Sequence, residues 1–204
     1  MARVTKPVCR VCRRNAEKLY LKGRRCESDK CPLDPRKQRK GMTQAKTSEY
    51  GMQMREKNKV KVYYGVLEKQ FRRYFAMAKK TRGVTGEILL RFLECRLDNV
   101  LYRLHWASSR RMARQAIGHG HVFVNGKRVN RPSYQTRIGD EISIGEGTKY
   151  VEIAKQMKEL GSTPVPAWLE ASETELKAKI VRYPLRDEVS IPVDEHLIIN
   201  FYSK

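Results

Sequence analysis

Ser109-Arg110-Arg111-Met112-Ala113-Arg114-Gln115-Ala116-Ile117-Gly118-His119-Gly120-His121-Val122-Phe123-Val124-Asn125-Gly126-Lys127 changes its hydrophobic period once, and that change fixes the architecture around it. Up to Ile117 the apolar positions Met112, Ala113, Ala116 and Ile117 fall on one side of a helix, with Arg110, Arg111, Arg114 and Gln115 on the other. Ser109 suits an N-cap, and Gly118 and Gly120 stop the helix. Val122-Phe123-Val124 then meets Lys127-Arg128-Val129 across Asn125-Gly126, the dipeptide that most favours a two-residue hairpin. Ile138-Gly139-Asp140 predicts another turn, and Glu141-Ile142-Ser143-Ile144 alternates as a strand. A helix giving way to a hairpin and further strands reads as a small α+β module.

Upstream, Leu67, Phe71, Tyr74, Phe75 and Ala78 form one helical stripe, with Lys69, Arg72, Arg73 and Lys80 opposite it as a basic ridge. A long helix is expected from Thr85, its N-cap, through Ile88, Leu89, Phe92, Leu93, Leu97, Val100, Leu101 and Leu104, with Cys95 as a small core residue beside Ile88 and Phe92. Downstream, residues 151–160 predict a helix, Gly161 to Pro166 a break, and Trp168-Leu169 a strand. The run from Asp194 to Tyr202 reads as an N-capped apolar helix that docks on something. The organisation expected is α+β in three regions: a basic, cysteine-bearing extension over 1–45; a helical domain over 46–94, completed by 188–204; and an α+β domain over 95–187, with the module at 95–157.

Four of the five cysteines lie close together. Cys9 and Cys12 are two residues apart, and thirteen residues later Cys26 and Cys31 are four apart. Such pairs can aim four thiolates at one point, which satisfies a tetrahedral metal. Zinc is the default, an iron–sulfur cluster uses the same ligands, and two disulfides are the competing arrangement. Arg10, Arg13, Arg14, Arg24 and Arg25 are expected to lower the thiol pKa values. With all four positions filled, no open site would remain for catalysis.

Charge narrows the partner. The 204 residues carry a formal net charge of +21, and mean hydropathy is −0.65. Residues 1–60 hold 18 basic and 6 acidic side chains, whereas residues 151–204 hold 7 and 9. A polyanion offsets such self-repulsion, and nucleic acid suits it better than a membrane surface because the basic residues are not confined to one amphipathic helix. No run of about 18 apolar residues and no apolar segment behind the first charges occurs, so a soluble, cytoplasmic chain is expected. The run Arg36, Lys37, Arg39, Lys40 is a candidate phosphate contact. Ser109, Arg110, Arg111, Arg114 and Gln115 would meet phosphates and sugar hydroxyls at a helix start, and His119, His121, Asn125, Lys127 and Arg131 would continue the strip along the hairpin, reading the shape of a folded RNA.

The stretch from Ser109 to Lys127 closely resembles the RNA-binding module named after small-subunit ribosomal protein four, a module also attached to pseudouridine synthases and some tRNA synthetases. Three further stretches resemble the bacterial ribosomal family itself: Ser48-Glu49-Tyr50-Gly51-Met52-Gln53-Met54-Arg55-Glu56-Lys57; Tyr64 through Phe75; and Arg96-Leu97-Asp98-Asn99-Val100. The resemblance spans essentially the whole chain, in the form that keeps a metal knuckle. It implies binding to the 5′ domain of 16S ribosomal RNA at a multi-helix junction and nucleation of small-subunit assembly. It also implies contact with small-subunit protein five at an interface affecting decoding accuracy, and a place near the passage by which mRNA enters. Tyr50, Gln53, Lys57, Lys69, Arg72 and Arg73 join the candidate RNA contacts, with no membrane and no DNA as partner. Two other classes compete: an RNA-modifying enzyme carrying the same module, which would need a catalytic domain that this length does not leave room for, and a zinc-dependent DNA regulator.

Overall fold

The computed structural model describes residues 7–15, 17–34, 48–160, 163–172 and 174–203. The chain divides into two compact units, residues 1–89 with 190–204 and residues 90–189.

In the first unit, α1 (Cys9–Asn15) precedes a 3-10 turn at Gly23–Cys26. Helix α2 (Glu49–Tyr63) starts at Ser48, whose hydroxyl accepts the Gly51 N–H at 3.2 Å. The sequence carries no apolar stripe here, because the buried face of α2 includes Gln53, Lys57 and Lys59 beside Val60 and Tyr63. These polar groups are each met: the Lys57 ammonium lies 4.0 Å from the centre of the Phe201 ring, Lys59 pairs with Glu17 at 2.7 Å, and Gln53 donates to Glu49 at 3.0 Å. The Phe201 ring belongs to α8 (Glu195–Ser203), entered as expected through Asp194, which accepts the His196 N–H at 2.9 Å. Tyr50 meets Phe201, the Glu56 carboxylate accepts the Asp194 N–H, and Tyr63 bonds Ser190, so α2 and α8 run antiparallel. Helix α3 (Glu68–Lys80) buries Phe71, Tyr74, Phe75 and Ala78. Leu67, expected on that stripe, is its N-cap and is exposed. At the start of α4 (Thr85–Glu94), Gly86 admits α8 so closely that a Cβ there would sit 2.6 Å from the Glu195 Cβ.

The single long helix expected from Thr85 to Leu104 is two helices. Helix α4 ends at Glu94 and α5 (Leu97–Arg103) begins after Arg96, whose backbone is extended. The break has a cause outside the helical pattern: the Leu97 and Asp98 N–H groups donate to the carbonyls of Tyr134 and Pro132 instead of to α4. Cys95 lies in this break, 2% exposed, and burial pushes its thiol up to about 12, so it is an inert core residue.

The second unit continues through α6 (Arg110–Gly118), β1 (Val122–Val124), β2 (Lys127–Arg128), β3 (Glu141–Ile144), α7 (Lys149–Glu159), β4 (Leu169–Ala171) and β5 (Lys177–Ile180). The strands form an antiparallel sheet in the order β2-β1-β3-β5-β4. Asn125 and Gly126 both have positive φ (50° and 74°), the type I′ geometry that the Asn-Gly pair predicts. Inward residues of the sheet (Val122, Val124, Ile142, Ala178 and Ile180) meet Leu97, Val100, Leu101 and Leu104 of α5 and its end, Ala113, Ala116 and Ile117 of α6, and the buried Trp106 and Trp168. This core sets α6 and the hairpin as one rigid surface.

Candidate nucleic-acid interface

Helix α6 opens as predicted: Ser109 is extended and its hydroxyl accepts the Met112 N–H at 3.3 Å. Its arginines divide in a way the periodicity did not foretell. Arg110 is 7% exposed; its Nε donates to Asn99 Oδ1 at 2.8 Å, and its guanidinium lies 4.4 Å over the Tyr102 ring. Asn99 Nδ2 in turn donates to Glu94 Oε2 at 2.7 Å, and Arg103 holds the same carboxylate through Nε and Nη2. Arg114 Nε donates to Asp98 Oδ2 at 2.6 Å, beside the two bonds that Arg96 makes to that carboxylate. Arg110 and Arg114, one turn apart, thus lean on the adjacent Asp98 and Asn99 of α5. The assignment of Arg110 to the outer face is corrected, because a buried carboxylate and amide beneath α6 claim that side of the helix. Arg111 and Gln115, the next pair one turn apart, are exposed.

At the end of α6, His119 is exposed as the C-cap. His121 is half-buried, its ring parallel to Tyr150 within 5° at 5.8 Å and 6.0 Å from His119. Arg128 reaches back from β2, donates to the His119 carbonyl at 2.9 Å and lays its guanidinium over Gly120, where a Cβ would collide with it. Asn125 is exposed, and its side chain ties the hairpin to β3: Nδ2 donates to Asp140 Oδ1 and Oδ1 accepts the Glu141 N–H, both at 2.9 Å. Lys127 and Arg131 are exposed. The module therefore shows Arg111, Gln115, His119, Lys127 and Arg131 to solvent.

In the first unit Lys69, Arg72 and Arg73 stand exposed along α3. Gln53 (0% exposed) and Lys57 (5%) do not: both are buried on the α8-facing side of α2, which corrects their reading as surface contacts. Tyr50 is exposed, its ring 5.6 Å from Phe201. Glu68, which the sequence reading passed over, gathers Lys61 Nζ (2.5 Å), the Tyr202 hydroxyl (2.8 Å), Arg72 Nε (3.3 Å) and Lys57 Nζ (3.4 Å). Burial pushes its carboxyl up, but Lys61, Tyr202 and Lys57 outweigh it and hold the group down at about 2. Burial lowers Lys57 from the ordinary lysine value, with Glu68 opposing. Only a lone acid between helical lysines and arginines could have signalled this hub.

Cys9, Cys12, Cys26 and Cys31 are free thiols that line one cavity with Leu19 and Leu33. Lys22 N–H donates to Cys26 Sγ at 3.4 Å, and the Leu19 backbone bonds the Cys12 thiol. Burial, then neighbouring thiols, push Cys12 and Cys26 up in net effect. The expected lowering by arginine is corrected, since Arg10, Arg13, Arg14 and Arg25 are exposed and screened by solvent. Among the described residues no group of three or more His, Cys, Asp or Glu side chains is set to hold a metal ion, so the four sulfurs share a location without a closed ligand geometry. Arg36, Lys37, Arg39 and Lys40 lie outside the described residues.

A capped basic helix running into an Asn-Gly hairpin is the architecture of an S4-type RNA-binding module, and residues 95–142 match the family described as "S4 domain", while residues 3–94 match "Ribosomal protein S4/S9 N-terminal domain". The chain belongs to this ribosomal protein S4 family. Across the full length of both chains it is 50% identical to small ribosomal subunit protein uS4 of Natranaerobius thermophilus and 51% identical to that of Halothermothrix orenii. It is likewise 49% identical to small ribosomal subunit protein uS4A of Symbiobacterium thermophilum.

Proposed function

We propose that this chain is a structural, non-enzymatic constituent of the small ribosomal subunit in the cytoplasm, binding 16S ribosomal RNA at a multi-helix junction of the 5′ domain. The observation that carries the reading is full-length identity near one half to small-subunit proteins, in a chain whose S4 module exposes Arg111, Gln115, His119, Lys127 and Arg131. Lys69, Arg72 and Arg73 give the first unit a second basic face. Each face neutralises phosphates and releases counterions, and so stabilises the folded RNA as small-subunit assembly nucleates. Protein five of the small subunit and mRNA near its point of entrance are the further partners, the first through an interface that affects decoding accuracy. An RNA-modifying activity has no support in the family, whose relatives are ribosomal proteins.

Filter binding tests the reading. Junction RNA should be retained at physiological salt, in preference to duplex DNA, with log affinity falling by about 0.7–0.9 per phosphate contact as log salt rises. Equal retention of duplex DNA, or chemical conversion of the RNA, would refute it.

Four cysteine sulfurs on one cavity fit zinc by donor chemistry, with an iron–sulfur cluster as the alternative. Cys9, Cys12, Cys26 and Cys31 would hold the metal, which when bound would supply a cross-link for a segment whose small core is Val8, Leu19 and Leu33. Elemental analysis should return one zinc per chain, and two or four irons in its place would select the cluster. A chelator should loosen the first ~40 residues while the 85–145 core stays folded, as read by amide exchange.

A further inference from the structure

Among the described residues, three outside glycine have positive φ: Tyr20 (47°), His105 (58°) and Asn125 (50°). Two have local reasons. Asn125 sits in the hairpin turn, and His105 follows α5 where the chain closes the helix, with the Trp106 N–H bonded to the Leu101 carbonyl. Tyr20 has neither. A bulky aromatic residue is among the least suited to the left-handed region, where glycine or asparagine would sit with less strain. The strain is imposed from both sides, because Leu19 on one side and Lys22 on the other bond the Cys12 and Cys26 thiols, and Leu19 is buried at 1% exposure. The fixed turn leaves the Tyr20 ring outside, 46% exposed.

The three exposed tyrosines differ in what meets their rings. Tyr50 lies against Phe201, and Tyr183 lies under the Arg91 guanidinium at 5.1 Å. Tyr20 has no ring, cation or hydrogen-bond partner among the described residues. Lys18, Lys22 and Arg25 line the same cavity as Tyr20, and of these Lys22 and Arg25 are exposed. An exposed aromatic ring held by a fixed turn, with exposed Lys22 and Arg25 two and five residues further along the chain, is the equipment with which proteins take up an unstacked base and its flanking phosphates.

We propose that Tyr20 is a stacking site for an unpaired RNA nucleobase, with Lys18, Lys22 and Arg25 engaging the adjacent phosphates. The proposal rests on the RNA-binding function above and adds a second kind of contact to it, a base contact remote in sequence from the S4 module. The ring is what the site uses, and the strained turn is what aims it.

Glycine at this position separates ligand from structure, because it removes the ring while relieving the backbone. Full-length wild type, Tyr20→Gly and Tyr20→Phe are titrated with 16S 5′-domain RNA, and protection of the Leu19 and Lys22 amides is followed by hydrogen exchange. We expect Tyr20→Gly to keep or raise that protection yet bind RNA roughly tenfold more weakly, and Tyr20→Phe to stay within about twofold of wild type, since the π-face is retained. Ultraviolet cross-linking should join Tyr20 to a nucleotide outside a helix. Undiminished affinity in Tyr20→Gly overturns the proposal and leaves the RNA-binding function standing. A loss in Tyr20→Phe equal to that in Tyr20→Gly also overturns it, since the hydroxyl and not the ring would be responsible. Failure of wild type itself to bind the RNA removes both.

Discussion

Helices α3 and α6 both carry arginines one residue apart, Arg72-Arg73 on one and Arg110-Arg111 on the other, yet the two helices hold them by opposite means. On α3 the guanidinium of Arg72 is 68% exposed and touches a single carboxylate, Glu68, which is itself one-third exposed. On α6 the guanidiniums of Arg110 and Arg114 rest on Asn99 and Asp98, both 0% exposed. The first arrangement leaves charge free to follow a mobile polyanion. The second withdraws Arg110 into the unit and fixes the partly exposed Arg114 in one geometry over Asp98. Basic residues that look equivalent in the sequence are therefore held differently, and the difference lies in the buried amide and carboxylate beneath those of α6.

The largest expected effect comes from breaking the buried side of this contrast. Asp98→Asn leaves Arg96, 2% exposed, and Arg114 without their shared anion, and should destabilise the 90–189 unit by about 3–5 kcal/mol in chemical denaturation. Gly86→Ala comes next: with the Glu195 Cβ in the way, α8 must shift, and about 1–3 kcal/mol should be lost from the other unit. Glu68→Gln should cost less than about 1 kcal/mol at neutral pH, because the Glu68 side chain is itself 34% exposed and solvent screens its pairs. Its signature is instead in acid. Glu68 is held at about 2 against an ordinary 4.5, so its contribution is present above pH 4.5 and disappears as pH falls towards 2. The wild-type and Glu68→Gln stability curves should converge across that window, and parallel curves would show that Glu68 is not the titrating hub. Smallest in stability is Arg111→Ala, with no resolved change in melting temperature but a salt slope for RNA binding shallower by about 0.7–0.9. Arg114→Ala, by contrast, should lose both affinity and stability.

Legibility followed the chemistry of burial. The cap at Ser109, the stripe Met112, Ala113, Ala116, Ile117 and the Asn125-Gly126 turn were readable because apolar burial and positive φ leave local marks. Helix α2 was not, since Lys57 and Gln53 take buried positions that aliphatic residues normally hold, and Lys57 is covered by Phe201 and Tyr202 from far along the chain. The break at Arg96 was hidden for a similar reason: the carbonyls that end the helical run belong to Pro132 and Tyr134. The exposed half of the candidate interface (Arg111, Gln115, His119, Lys127, Arg131) was visible as charge and polarity, whereas the inward turn of Arg110 depends on Asn99 and Glu94, whose burial no local pattern announces.

Arg128 belongs in sequence to the hairpin, but its guanidinium closes the last turn of α6 at the His119 carbonyl, above a glycine that alone leaves it room. A cation at that end satisfies the helix dipole and a terminal acceptor together. The tail of α6 and the β1–β2 ribbon thus share one contact, so a substitution at Arg128 is felt at the helix end as well as in the hairpin.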